Sequence, residues 1–97
     1  MTVSYERKDG KIYFLFEGRM DTIKCMNAEK IVLSKLEESD VSVFDLKNVD
    51  YIASSFLRLC GRASNTVSAG DFSIINVTPP VKKVFKIAGL ADRLNLK

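Results

Sequence analysis

The chain has 97 residues, 46% of them hydrophobic and 28% charged, with a net charge of +3; this suits one domain with one core and excludes a disordered or collagen-like chain. It has no histidine, which removes histidine acid–base catalysis, Ser-His-Asp triads and most catalytic zinc sites. Lysine and arginine are scattered without interleaved aromatics, and the densest cluster, Lys82, Lys83 and Lys86, would line a solvated face on a helix; no apolar run approaches the ~18 residues of a membrane span, and the polar start MTVSYERKDGK does not read as a signal peptide. A soluble, cytoplasmic protein with no nucleic-acid partner and no membrane insertion is therefore expected.

Thr2 to Arg7 alternates with period two and reads as a strand. Lys8-Asp9-Gly10 follows, and Asp-Gly is a strong hairpin signal. Lys11 to Glu17 (KIYFLFE) is almost continuously apolar, which predicts a second strand, antiparallel to the first and buried on both faces. Gly18 to Thr22 breaks it, and Asp21 or Thr22 can cap a helix running to about Ser39. Cys25, Ala28, Val32 and Leu36 form that helix's apolar stripe, with Met26 and Leu33 on its flank and Glu29 near it. The polar run Glu37-Glu38-Ser39-Asp40 reads as a turn.

Val41 to Leu46 predicts a third strand, with Lys47 to Asp50 leaving it. A helix over Ser54 to Ser68 follows, because Phe56, Leu59, Cys60, Ala63 and Val67 recur at helical spacing. Gly61 weakens it by ~1 kcal/mol against alanine, so a close packing contact is expected there. Ala69-Gly70-Asp71 ends the helix, and Phe72 to Val77 reads as a fourth strand. Thr78-Pro79-Pro80 starts a last helix with Val81, Val84, Phe85 and Ala88 inward, and Gly89 stops it. The segment from Leu90 to Lys97 has room for a short strand or turn. The order β-β-α-β-α-β-α predicts a single α/β domain: a mixed sheet with an N-terminal antiparallel hairpin, then βαβ units whose helices lie mainly on one face.

Four landmarks carry a resemblance over nearly the whole chain. Gly18-Arg19-Met20-Asp21 is like a G-x-(L/M)-D motif after the second strand. Val43-Phe44-Asp45-Leu46 with Val49-Asp50-Tyr51-Ile52 is like a hydrophobic-D-L-x-x-V-x-x-I stretch. Ser54-Ser55 with Leu57 is like D-S-S/T-G-L, and Val84 to Leu90 is like a last helix ending in G-L. Together they resemble the STAS domain of bacterial anti-sigma factor antagonists. Two positions depart from the motif: Ala53 stands where the family usually has Asp, and Phe56 where it usually has Gly.

The resemblance implies a regulatory binding protein with no catalytic residue, cofactor or metal of its own. It implies a phosphoacceptor at Ser55, with Ser54 as the alternative. It also implies a partner-facing surface around Asp21, Ser54, Ser55, Phe56 and Arg58. The partner would be an anti-sigma factor that is also a serine kinase, with a phosphatase as the reset, and the antagonist itself is expected as a monomer. A phosphate at a helix start meets unpaired N–H groups and the positive end of the dipole. A second implied role is a non-phosphorylated STAS scaffold subunit of an ABC-type lipid transport complex.

Read without the resemblance, Ser54 and Ser55 are a helix cap and Asp21 is the cap of the first helix; with Ser55 taken as the phosphoacceptor that the resemblance implies, Ser54 is the expected cap. Phe56 begins an apolar stripe, so burial is expected in preference to an exposed anchor. Arg58 can offset phosphate charge or touch a partner. Asp45 and Asp50 lack an acid–base constellation and suit turns or strand ends. The glycines form no phosphate-binding loop. Cys25 and Cys60, far apart and without CxxC spacing, are expected as buried free thiols.

Overall fold

Asp9 (φ 53°) and Gly10 (φ 76°) both take positive φ, the backbone that a two-residue hairpin turn requires, and set Lys8 opposite Lys11. The turn joins β1 (Val3–Lys8) to β2 (Lys11–Met20). A computed structural model describes residues 3–36, 41–68 and 70–97. The expected strand start at Thr2, the turn over residues 37–40 and Ala69 lie outside the described residues. Then come α1 (Thr22–Lys35), β3 (Val41–Ile52), α2 (Ser54–Thr66), β4 (Phe72–Ile75) and α3 (Pro79–Ile87). The sheet order is β1-β2-β3-β4, with β1 antiparallel to β2 and the other neighbours parallel.

The helices cover one face of this sheet. Ile12, Phe14 and Phe16 of β2 point under them, as do Phe44 and Leu46 of β3 and Phe72 and Ile74 of β4, all buried. Phe44 sits at the centre, 4.8 Å from the Phe16 ring, 4.9 Å from Phe72 and 5.7 Å from Phe14. On the opposite face Tyr13, Leu15 and Asp45 are only half-buried. The expectation that β2 is buried on both faces is thus corrected: its apolar run serves a one-sided core, and Tyr13 and Leu15 instead line an open groove of about 510 Å³ with Ser4, Tyr5, Glu6, Asp45 and Lys47.

The parallel pair β2–β3 is longer than the sequence suggests. β2 continues to Met20, and β3 runs through the polar Lys47–Asp50 stretch to Ile52. Two register shifts allow this. Leu15 pairs with Asp45 but Glu17 with Asn48; Gly18 pairs with Val49 but Arg19 with Tyr51. Each shift gives β3 one extra residue and bends it. As a result Leu46, Val49 and Ile52, spaced by three, are all buried.

Helix ends follow local chemistry. Leu36 is extended (φ −85°, ψ 127°) and caps α1 through its N–H to the Val32 carbonyl, so the helix stops at Lys35, short of the expected Ser39. β4 ends at Ile75, two residues earlier than expected, because Asn76 turns with φ 56°. Its amide donates to Asp45 Oδ1 at 3.2 Å, and Lys47 N donates to the same oxygen at 3.0 Å, so Asp45 is a strand-end brace. At the end of α3, Gly89 (φ 73°) donates to the Lys86 carbonyl and Leu90 to the Phe85 carbonyl, each at 3.0 Å; this paired closure depends on the left-handed residue. A Cβ built on Gly61 meets nothing within 4 Å, so the expected close contact there is absent. Beyond α3, Leu94 is buried and Leu96 bridges Ile74 in parallel, a single-residue version of the expected final strand.

Candidate functional site: two helix starts at one end of the sheet

Parallel strands send their carboxyl ends to the same edge, and the helices that follow begin there. Met20 pairs with Ile52, and Ala53 N donates to the Met20 carbonyl at 3.0 Å, so α1 and α2 start side by side. Asp21 sits at the N-cap of α1 with extended backbone (φ −75°, ψ 178°), and its Oδ1 accepts from Lys24 N at 3.0 Å. Gly18, at φ 82°, leaves room for the Lys24 side chain, whose Nζ lies 3.3 Å from where a Cβ would be.

The second start is built differently. Ala53 occupies the N-cap of α2 (φ −87°, ψ 167°) and offers no capping oxygen. Ser54 and Ser55 are therefore the first two residues inside the helix, and the expectation that Ser54 caps it is corrected. The cause is the bond from Ala53 to Met20, which fixes the end of the strand one residue before the serines. Ser54 is exposed. The Ser55 hydroxyl oxygen is buried and has no hydrogen-bond partner among the described residues.

Ser55 lies against Cys25 of α1. The Cys25 thiol donates to the Met20 carbonyl at 3.4 Å, and the Ser55 hydroxyl acts on it as an electrostatic neighbour without hydrogen-bond geometry. Burial pushes the Cys25 thiol pKa up; Ser55 and Arg58 pull against that rise, while Asp21 and Glu29 add to it. Asp21, Ser55 and Arg58 of the expected surface thus all act on this one thiol. Burial also raises the Cys60 thiol well above its ordinary range, with Cys25 adding to the effect, and both cysteines are free and buried as expected.

Phe56 takes the core role. It is wholly buried, with its ring 5.2 Å from Phe16 and perpendicular to it, so it offers no exposed anchor to a partner. Arg58, one turn after Ser54, is exposed. Arg62 on the next turn stands 3.5 Å from Glu29 of α1, an ion pair without hydrogen-bond geometry and of little energetic weight at a surface.

Ile23, Tyr51, Arg19 and Lys24 at this end were not singled out from the sequence, and Met26, expected as a flank of the α1 apolar stripe, is exposed instead. Ile23 and Met26, on the outer side of the first turns of α1, are 72% and 53% exposed, and Tyr51, at the end of β3, is 40% exposed. Arg19 stacks on Tyr51 with its guanidinium 3.8 Å from the ring centre, and Lys24 adds a second positive charge. The signal was available: Ile23 and Met26 fall off the Cys25-Ala28-Val32 stripe. Among the described residues no group of three or more cysteines and carboxylates is placed to hold a metal, and no helix is long and apolar enough to cross a membrane.

No protein-family model matches this chain, and no curated protein sequence matches it significantly. Solved structures do. An anti-sigma factor antagonist from Mycobacterium paratuberculosis superposes with a TM-score of 0.87 at 20% identity, covering 98% of this chain and 83% of that one. An anti-sigma-factor antagonist (STAS) domain protein from Planctomyces limnophilus gives 0.86 at 15% identity, covering 98% and 87%. The anti-sigma factor antagonist SpoIIAA in its unphosphorylated form gives 0.72 at 18% identity, again covering 98% and 87%. At such identities the likeness is one of fold, and this chain has the fold of STAS-domain anti-sigma factor antagonists.

Proposed function

We propose that this STAS-fold chain is an anti-sigma factor antagonist, a cytoplasmic, monomeric regulator of transcription that works by switching protein partners. It carries no catalysis and no cofactor of its own. Its docking surface is the end of the sheet where α1 and α2 begin, with Asp21, Ser54, Ser55 and Arg58 at the centre and Ile23, Met26 and Tyr51 as apolar contacts. The partner is an anti-sigma factor that is also a serine kinase, and a phosphatase reverses the modification. The observation that carries this reading is the convergence of the two helix starts, which sets Asp21 and Ser55 around one thiol.

The switch follows from charge. Phosphorylating Ser55 adds roughly −1.5 to −2 charges. The unpaired N–H groups at the start of α2 and the Arg58 side chain stabilise that charge within the domain. A partner packed over Ile23, Met26 and Tyr51 would have to bury it beside Asp21, which is costly. The domain then stays folded while its complex dissociates. Incubation with a kinase-type anti-sigma factor that binds the protein, plus ATP, adds one phosphate, located at Ser55 by mass spectrometry. No mass change with a kinase proven to bind sinks the phosphoswitch.

One observation favours a second reading. The Ser55 hydroxyl points inward, and Phe56 fills the position where a glycine would leave the helix start open. A non-phosphorylated scaffold, such as a STAS subunit of an ABC-type lipid transport complex, needs neither an accessible hydroxyl nor that glycine. Co-purification separates the two: a transporter ATPase supports the scaffold, and a kinase-like anti-sigma factor supports the switch.

A further inference from the structure

Positive charge is unevenly placed along this chain. Residues 79–97 hold Lys82, Lys83, Lys86, Arg93 and Lys97 against Asp92 alone, so they contribute +4 of a total of +3, and residues 1–78 contribute −1. Three of these cations lie on α3. With 100° per residue, Lys82, Lys86, Lys83 and Ile87 follow one another within an arc of about 140°, and Pro79 falls inside it. All five are exposed, while Val81 and Phe85 on the other side are buried in the core. The arc contains no acidic residue, and none of its lysines is in an ion pair among the described residues. Ile87 at its edge is 77% exposed, more than any other large apolar side chain described.

We propose that this outer face of α3 is a docking surface for an anionic lipid bilayer, on which the helix lies flat with Ile87 entering the headgroup layer. Charge sign and shape carry the proposal. All three cations are lysines, compact and mobile point charges that suit a fluid array of headgroups. Fixed carboxylates on a protein partner, or guanine edges in a nucleic acid, favour the planar fork of arginine, which this face lacks. No aromatic residue lies on this exposed face to stack on bases, the one aromatic of α3, Phe85, being buried on the other side. An exposed isoleucine beside lysines gains by leaving water at a membrane surface, where lysine stems snorkel towards the headgroups. The surface is peripheral, does not cross the membrane, and acts independently of the phosphoswitch.

Each lysine near an anionic surface strengthens partitioning by a factor of about five, so three give about 100-fold. The full chain is sedimented with vesicles of phosphatidylcholine containing about one-third phosphatidylglycerol, and with pure phosphatidylcholine vesicles. Binding to the first and not the second is expected, and it weakens steeply towards about 0.5 M salt. The triple variant Lys82→Gln, Lys83→Gln, Lys86→Gln loses it about 100-fold. Ile87→Ser weakens it several-fold. A control of equal charge change, Lys8→Gln, Lys11→Gln, Lys30→Gln, retains most of it, and circular dichroism checks that each variant is folded. The proposal is overturned by absent vesicle binding, by equal loss in the control triple, or by duplex DNA or RNA binding more tightly than the vesicles through the same three lysines.

Discussion

The starts of α1 and α2 lie side by side and are built on opposite principles. α1 begins on Asp21, whose carboxylate accepts from Lys24 N, so one orphan N–H is satisfied by a side chain. α2 begins on Ala53, has no side-chain cap, and buries an unpaired hydroxyl in its first turn. α2 draws its hold instead from Phe56, locked between Phe16 and Phe44. One helix is secured at its tip, and the other one turn further in. The difference leaves the tip of α2 electrostatically open, which is the condition an added phosphate would exploit.

Phe56→Ala breaks the comparison most severely. Removing a buried phenylalanine costs about 3–5 kcal/mol, and urea unfolding should report a loss of that size. A loss under ~1 kcal/mol would mean that α2 is held elsewhere. Asp21→Ala comes next, at about 1 kcal/mol, by removal of the capping bond to Lys24 N. Ala53→Ser has the smallest effect and the opposite sign. The extended backbone already has N-cap geometry, so a hydroxyl there stabilises α2 by about 0.5–1 kcal/mol. If it destabilises, Ala53 is not acting as the cap position. Comparing Asp21→Ala with Ala53→Ser in one urea series tests whether the two tips differ as described.

The path of the chain was largely readable from its sequence. The Asp9-Gly10 turn, the seven elements and the one-sided helical layer all follow from period and punctuation. So does the Asp21 cap, which needs only a carboxylate three residues before a free N–H. The misreadings have physical causes. Lys47 to Asp50 looks like a loop because it is mostly polar, yet bulges let those residues stay in a strand with Lys47, Asn48 and Asp50 facing water and Val49 buried. Tyr13 and Leu15 look buried because hydrophobicity does not reveal which face of a sheet receives helices. The serine pair looks like a cap because the bond that fixes the strand end, Ala53 to Met20, joins residues far apart in sequence. Distance also hid the proximity of Cys25 to Ser55, which exists only once two βα units stand next to each other.

The two register shifts in β3 have a consequence for how this protein tolerates length change. Side chains along a strand alternate like the teeth of a zip, and each shift skips one tooth, so the strand leaves the sheet in the same phase in which it entered. Losing a single residue between Leu46 and Val49 would remove one skip. Everything downstream would roll over by half a turn, carrying the Ser54-Ser55 pair away from Cys25 and Phe56 out of its ring cluster. Losing one residue from each shift would restore the phase. Single-residue deletions here should therefore be far more damaging than paired ones, and the position of the serines is maintained by counting as much as by contact.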